Sequence, residues 1–265
     1  MKQAFLIIDE YRQANKTGAV GTVVGGDPQV CPTGTKFLIA DGGRELIGQF
    51  PNGLLIQLEA EIRQVFEMRT ARVLNVQYQG INLKIFVDPV FPLARLVILG
   101  GGHIALPLAS IGKLLGYEVT VIDDRLSFAN QARFPMADRV ICEDFRKAIG
   151  EISFDSNTYT VIVTRGHRHD KTCLEEVLRL PTSGYIGMIG SRRKVAALFQ
   201  DLQEEGFGDA ELNRVYTPIG LDIGAQTPEE IAVSIMAEII MVNRRGYSHG
   251  LKMQQGGNAS GRKSN

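Results

Sequence analysis

The pattern of apolar and polar positions changes near residue 94. Up to about Val90, short runs rich in β-branched residues are separated by glycine, proline and asparagine clusters, which is typical of strands joined by turns. The runs are AVGTVVGG, TKFLIADGG, ARVLNVQYQ and NLKIFVDPV. Apolar residues at helical spacing predict one helix from about Leu55 to Glu67. These elements predict a small α+β domain over residues 1–94.

The segment from Asp88 to Leu93 carries two prolines, Pro89 and Pro92. Proline interrupts a helix and cannot donate the hydrogen bond that a central strand needs. The segment is therefore predicted to be a linker, with the domain boundary near Ala94.

Beyond this boundary, apolar runs of about five residues alternate with helical segments, as in βαβ units whose parallel sheet is covered on both faces. The predicted strands are Arg95–Gly100, Glu118–Asp123, Arg139–Cys142, Tyr159–Thr164, Tyr185–Ile189 and Arg214–Thr217. Six strands with intervening crossovers predict a Rossmann-like, doubly wound parallel sheet over residues 95–245. The predicted fold class is α/β.

The last helix has recognisable ends. Thr227 is a predicted N-cap, Pro228 suits the first helical position, and Glu230 can reach back to complete a capping box. A buried face at helical spacing is then formed by Ile231, Ile235 and Ile239. Residues 246–265 lack apolar periodicity, so we predict a flexible tail there.

Composition narrows the classes of function. Lys plus Arg number 29 against 29 Asp plus Glu, so no net charge draws the chain toward nucleic acid or an anionic membrane, and neither is expected as a partner. Three scattered cysteines do not form a disulfide framework or a paired zinc ribbon. The sequence has no run of about 18 apolar residues, so no membrane span is predicted. We expect a cytoplasmic protein that binds any anion locally.

The most specific local motif follows the first strand of the second half. Gly100, Gly101, Gly102 and His103 lie in a G-x-G-x-x-A turn that leads into a helix. Glycines there let backbone N–H groups approach a phosphate, which favours a phosphate-bearing ligand over a purely structural turn. The helix is predicted to face the sheet with Ile104, Leu108, Ile111 and Leu115.

Three charged residues end the second strand, about 20 residues after the glycines. Asp123 or Asp124 could accept a hydrogen bond from a ribose hydroxyl, and Arg125 could contact a phosphate. The alternative is that the aspartates cap the following turn.

The loop after the fourth strand, Thr164 to Asp170, is predicted to lie at the ligand-binding edge of the sheet. Gly166, His167 and Asp170 are its candidate ligand contacts. Two alternatives are a metal site that uses His167 and His169, and a helix start capped by Asp170.

Two further loops follow the fifth and sixth strands. The first opens a helix with Gly190, Ser191, Arg192, Arg193 and Lys194. Cations at a helix amino terminus oppose the helix dipole, so an anionic ligand would explain them, and a solvated charge run is the alternative. The second loop offers Gly220, Asp222 and Gly224, whose glycines could instead serve a sharp connection.

Four segments together resemble the XdhC/CoxI family, the accessory proteins of xanthine dehydrogenase and related molybdenum hydroxylases. The segments are GGGHIALPLASIGKLLGYEVTVIDDR, TRGHRHD, YIGMIGSRRK and TPIGLDIGAQTPEEIAVSIMAEII, and they cover Leu96 to about Arg244 in the order of the family. The first half resembles the family more weakly, through GTVVGGDPQV and GTKFLIADGG. Where the family shows Gly-Gly-Cys-Leu-Glu before its first long helix, this chain has Pro51 to Leu55 without a cysteine.

The resemblance implies a chaperone that binds the molybdenum cofactor (Mo-molybdopterin), a pterin dithiolene ending in a phosphate. Such a protein assists sulfuration of the cofactor and its insertion into an apo molybdenum hydroxylase of the xanthine dehydrogenase type. A cysteine desulfurase is a further implied partner, and a homodimer is the implied state. A maturation factor is favoured over a self-sufficient enzyme, and the residues identify neither a catalytic group nor a protein metal site.

Two other functions suit the same pattern. An NAD(P)-dependent oxidoreductase is the first alternative, although no Tyr-x-x-x-Lys follows the fourth or fifth strand. A regulatory module that senses a nucleotide is the second.

Overall fold

The structure is a computed structural model that describes residues 11, 16–29, 31–40, 45–47, 53–180 and 183–245. The predicted tail over 246–265 lies outside the described residues, as do Pro51 and Asn52 in the segment that replaces the cysteine of the family. The chain forms two compact units, and the division falls between Leu93 and Ala94.

The first unit contains a five-stranded antiparallel sheet and, within its described residues, a long helix from Leu54 to Met68. Its elements are β1 (Gly18–Gly25), β2 (Lys36–Ala40), β3 (Glu45–Ile47), α1 (Leu54–Met68), β4 (Arg72–Tyr78) and β5 (Ile81–Val90). The strand order is β3-β2-β1-β5-β4. Its core includes the apolar stripe of α1 and the inward residues of β5, which are Leu54, Leu58, Ile62, Val65, Leu83, Ile85 and Val87.

Strand β5 continues through Pro89, so the predicted linker is too long. Pro89 pairs with Ala19 of β1, but the pairing of β5 with β4 ends at Val87. The last residues of β5 thus have a neighbouring strand on one side only. At such an edge position a sheet tolerates proline, which has no N–H to donate. The short strand β3 was not predicted, because three residues carry too little alternation to indicate a strand.

The second unit is the Rossmann domain. Its elements are β6 (Arg95–Leu99), α2 (Ala105–Leu114), β7 (Glu118–Asp123), β8 (Arg139–Cys142), α3 (Phe145–Gly150), β9 (Thr158–Ile162), α4 (His167–Leu178), β10 (Tyr185–Met188), α5 (Arg192–Glu204), α6 (Asp209–Leu212), β11 (Val215–Tyr216) and α7 (Pro228–Arg245). All its strands pair in parallel, in the order β11-β10-β9-β6-β7-β8. The order reverses between β6 and β9, as in a doubly wound dinucleotide-binding sheet. This confirms the predicted α/β class.

Alternate residues of β6 belong to two different hydrophobic cores, one on each face of this sheet. Leu96 and Ile98 belong to the core that includes residues of α2 and α7, whereas Val97 and Leu99 belong to the core that includes residues of α3, α4 and α5. A strand with both faces buried is expected only where helices cover the sheet on both sides.

The capping box of α7 is confirmed. The Glu230 backbone N–H donates to Thr227 Oγ1 at 3.2 Å, and the Thr227 backbone N–H donates to Glu230 Oε2 at 3.1 Å. Ile235 and Ile239 are buried as predicted, and Ile231 packs partly buried against the same core.

The prediction that Leu115 lies on the sheet-facing side of α2 is wrong. Leu115 is 45% exposed, because the helix ends at Leu114 and the next residue no longer follows its apolar stripe. The buried positions of α2 are Ala105, Leu108, Ala109 and Gly112.

Within the described ranges no helix is long and apolar enough to cross a membrane. In the same part of the chain, no three His, Cys, Asp or Glu side chains lie together as a metal site would require. The cysteines are free thiols, with Cys31 and Cys173 buried and Cys142 exposed.

Candidate functional site

The predicted site residues lie on loops that leave the carboxyl ends of the parallel strands. The loops after β6 and β9 leave neighbouring strands at the point where the strand order reverses. Ligands of open α/β sheets bind in the crevice at such a point. The candidate site therefore lies along this edge, from the glycine turn after β6 to the loop after β11.

Hydrogen bonds to neighbouring backbone and side-chain groups hold the glycine turn in place. The Gly100 N–H donates to the Ile122 carbonyl at 2.7 Å, and the Gly101 N–H donates to Asp123 Oδ2 at 2.8 Å. A Cβ on Gly101 would lie 2.2 Å from the Phe128 carbonyl oxygen, whereas a Cβ on Gly102 would meet no atom within 4 Å. Gly101 is thus required for packing, and Gly102 borders open space.

Asp123 holds the turn rather than facing a ligand. It is 2% exposed, and its carboxylate accepts hydrogen bonds from Arg125 Nε at 2.8 Å, Arg125 Nη2 at 2.9 Å and the Arg125 backbone N–H at 3.1 Å. Burial alone raises the pKa of Asp123, but the bonds from Arg125 and Gly101 outweigh it, so the pKa is lowered. Asp123 therefore fits the predicted alternative of a turn-capping residue.

Two residues of this region were missed by sequence reasoning. Arg133 donates from Nε to the Gly101 carbonyl at 3.2 Å, and the Phe128 ring lies 3.6 Å from the Arg125 guanidinium carbon. Both residues belong to the connection between β7 and β8, which carries no motif. Only their distance in space to the turn identifies them.

Asp124 bonds to the loop after β9, and its Oδ1 also lies 3.8 Å from Arg125 Nε. Arg165 donates from Nη2 to Asp124 Oδ2 at 2.9 Å, and its Nε donates to His169 Nε2 at 3.3 Å. The side chains of Arg165 and Asp124 are 43% and 28% exposed. His169 thus contacts an arginine, an arrangement unlike the predicted alternative of a His-x-His metal site.

A pocket of about 350 Å³ lies between the loops after β9 and β10. It brings together the predicted residues Gly166, His167, Asp170, Gly190, Ser191 and Lys194. Thr164, Arg165, Met188, Ile189, Val195 and Leu198 complete the lining. Thr164 also borders the glycine turn, since a Cβ on Gly100 would lie 2.9 Å from the Thr164 Cα. The pocket and the turn are therefore adjacent.

Asp170 is a half-buried acid that lines the pocket. Thr164 Oγ1 donates to Asp170 Oδ1 at 2.6 Å. Burial raises the pKa of Asp170, although the Thr164 hydroxyl, His167 and Lys194 each lower it. The alternative that Asp170 caps the helix is wrong, because α4 begins at His167 with Gly166 at the N-cap.

Lys194 lies in the first turn of α5, which opens onto the pocket. Ser191 is the N-cap, and its Oγ accepts the Lys194 backbone N–H at 3.4 Å. Arg192 and Arg193 are exposed and do not line the pocket. All three cations are exposed, and Lys194 alone among them lines the pocket.

The remaining predicted residues lie apart from the pocket lining. His103 is exposed beside the glycine turn, and Asp222 and Gly224 are exposed on the loop after β11. Gly220 anchors that loop, because its N–H donates to Glu238 Oε2 at 3.0 Å. The fully buried Glu238 also accepts from the Tyr185 hydroxyl at 2.6 Å, and sequence reasoning missed this pair.

Two cationic side chains, Arg165 and Lys194, two hydroxyls and the start of a helix lie around a small pocket that also holds Asp170, and this set suits a phosphate or another anion. The fold and the site together define a Rossmann-type protein with a candidate anion-binding pocket. Residues 96–239 match the XdhC Rossmann domain, and the chain belongs to the XdhC family. The resemblance predicted from the sequence is confirmed.

Curated relatives extend this comparison. The chain is 32% identical to a probable xanthine dehydrogenase subunit of Bacillus subtilis over 177 residues, which cover 67% of this chain and 51% of that protein. It is 30% identical to the uncharacterized protein YqeB of Escherichia coli over 164 residues, which cover 62% of this chain and 30% of that protein. The chain therefore spans about half the length of these relatives or less.

A solved structure agrees with the fold. The crystal structure of a xanthine dehydrogenase from Bacillus halodurans superposes with a TM-score of 0.70 and 23% sequence identity. The match covers 97% of this chain and 70% of the other. At this identity the likeness establishes the fold alone.

Proposed function

We propose that this protein binds the molybdenum cofactor in the pocket between the loops after β9 and β10. In this role it assists sulfuration of the cofactor and its insertion into xanthine dehydrogenase or a related molybdenum hydroxylase. The observation that carries the proposal is the position of Lys194 and Ser191 at the start of α5, where both line the pocket. Membership in the XdhC family supports the proposal.

The pocket residues fit the chemical groups of such a ligand. The volume of about 350 Å³ falls within the range of about 300–1,000 Å³ for small-molecule sites. Lys194 and the first amides of α5 would hold the terminal phosphate, since a helix start and a cation both favour an anion. Thr164 and the backbone of Gly190 offer polar groups to a pterin edge. When bound, the cofactor supplies the molybdenum centre through its own dithiolene.

The second candidate function, an NAD(P)-dependent oxidoreductase, is less well supported. Dinucleotide sites of this fold use an acidic side chain after the second strand to bind a ribose hydroxyl. Asp123 has this position, but its carboxylate is buried and bonded to Gly101 and Arg125. That arrangement counts against Asp123 as a ribose ligand and leaves only Asp124, which is paired with Arg165, for this role.

The partners follow from the same proposal. An apo molybdenum hydroxylase would receive the cofactor, and a cysteine desulfurase would supply the sulfur. The name of the Bacillus subtilis relative, which describes it as part of a probable xanthine dehydrogenase, supports the hydroxylase partner. A homodimer and a cytoplasmic location stay predictions.

The assignment of the phosphate predicts unequal effects of two neighbouring cations. Lys194→Ala should weaken binding of isolated molybdopterin about 10- to 100-fold, because a charge-assisted hydrogen bond to phosphate contributes about 1.5–3 kcal/mol. Arg193→Ala is the matched control, since Arg193 carries the same charge one residue away but does not line the pocket. Anaerobic fluorescence titration measures both affinities. An equal or larger loss in Arg193→Ala would place the phosphate outside the pocket.

A further inference from the structure

The two consecutive aspartates at the end of β7 bind arginines with different geometry and exposure. Asp123 is 2% exposed and binds Arg125 through two side-chain hydrogen bonds of 2.8 and 2.9 Å. Asp124 binds Arg165 through a single bond of 2.9 Å between side chains that are 28% and 43% exposed. The Asp123 carboxylate is buried and bound at two points, although the Arg125 side chain is 27% exposed. The pair of Asp124 and Arg165 has one bond between two partly exposed side chains, and such a pair contributes little to stability.

Arg165 is placed where a ligand in the pocket would meet it. It lines the pocket together with Thr164 and Lys194. Its guanidinium bonds to Asp124 after β7, although Arg165 itself follows β9, and β6 lies between these two strands. The side chain therefore spans the carboxyl end of β6, where the glycine turn begins.

We propose that Arg165 is a second anion-binding residue of the pocket, which Asp124 holds in the ligand-free protein and which exchanges onto a phosphate of the ligand. The inference rests on the proposed function and adds a residue of the predicted ligand loop that was not among its candidate ligand contacts. A guanidinium can make two parallel bonds to phosphate, so the exchange replaces one bond by two. His169 Nε2 accepts from the Arg165 Nε at 3.3 Å, so a second side chain of the same loop contacts the guanidinium.

The exchange predicts effects of opposite sign for the two partners. Asp124→Asn should tighten binding, because it removes the carboxylate that competes with the ligand for Arg165. Arg165→Gln should weaken binding about tenfold. In the double variant the benefit of Asp124→Asn should disappear, since the competition acts only through Arg165.

A double-mutant cycle with inorganic phosphate tests this proposal. Calorimetric titration at low ionic strength gives the affinities of the parent, both single variants and the double variant, and melting curves confirm that each is folded. Arg168→Gln is the charge control, because Arg168 is exposed near Arg165 but does not line the pocket. We expect it to bind phosphate as the parent does.

The outcomes separate this inference from the proposed function. If Lys194→Ala weakens phosphate binding while Arg165→Gln binds like the parent, the pocket stands and the role of Arg165 is overturned. The same holds if Asp124→Asn tightens binding equally with and without Arg165, because a general loss of negative charge would then explain it. If the parent does not bind phosphate saturably, both proposals are overturned.

Discussion

Replacing Gly101 by alanine should destabilise the Rossmann unit by about 3 kcal/mol, because the new methyl group has no room. The added Cβ would lie 2.2 Å from the Phe128 carbonyl oxygen, and this neighbour is backbone that cannot rotate away. To remove this clash, the turn would have to move away from Asp123 or from Arg133. Asp123 accepts the Gly101 N–H, and Arg133 donates to the Gly101 carbonyl. Each movement breaks a hydrogen bond of a buried or half-buried group.

Gly102→Ala is the matched control. A Cβ there meets no atom within 4 Å, so the change in unfolding free energy should stay within about 0.5 kcal/mol. Thermal melts of both variants measure the difference, which should be about 6–12 °C for a domain of this size. Equal melting temperatures would show that the turn does not pack against the loop at Phe128.

Glu238→Ala should destabilise the second unit strongly, by about 3–5 kcal/mol. Glu238 is fully buried on α7 and accepts from the Tyr185 hydroxyl at 2.6 Å and from the Gly220 N–H at 3.0 Å. Truncation leaves a cavity and deprives both buried donors of this acceptor. The ring of Tyr185 stacks on Tyr216 at 4.8 Å and cannot easily turn the hydroxyl toward solvent.

Two milder variants separate the causes of this loss. Tyr185→Phe removes one donor and keeps the volume, so it should cost only about 1 kcal/mol. Glu238→Gln keeps an acceptor oxygen, so its loss of unfolding free energy should lie between those of Tyr185→Phe and Glu238→Ala. Denaturant titration measures all three. A Glu238→Ala variant no less stable than Tyr185→Phe would contradict the view that this carboxylate organises the loop after β11.

Local patterns in the sequence predict those features that neighbouring residues determine. The capping box of α7 depends on Thr227 and Glu230, three residues apart, and the structure confirms it. Apolar runs bounded by polar residues predicted the strands of the parallel sheet, since both of its faces are buried. The predictions for Leu115 and for the end of β5 were wrong, because the same patterns do not show where a helix stops or where a strand loses one of its neighbouring strands.

Contacts between distant residues define the parts of the site that could not be predicted. Arg133 reaches the Gly101 carbonyl from 32 residues away, and Arg165 reaches Asp124 across 41 residues. Neither pair has a spacing that a motif could record. The sequence indicated that Asp123 either binds a ribose or caps the turn, and only its burial and its partners in the fold favour the second interpretation.

The pterin and molybdenum content of the protein, purified anaerobically from a molybdenum-replete host, tests the central claim most directly. We expect the parent and Arg193→Ala to carry molybdopterin together with molybdenum, and Lys194→Ala to have lost most of both. A parent protein that carries no pterin, or that carries a nicotinamide dinucleotide instead, would contradict the claim that the pocket beside Lys194 binds the molybdenum cofactor.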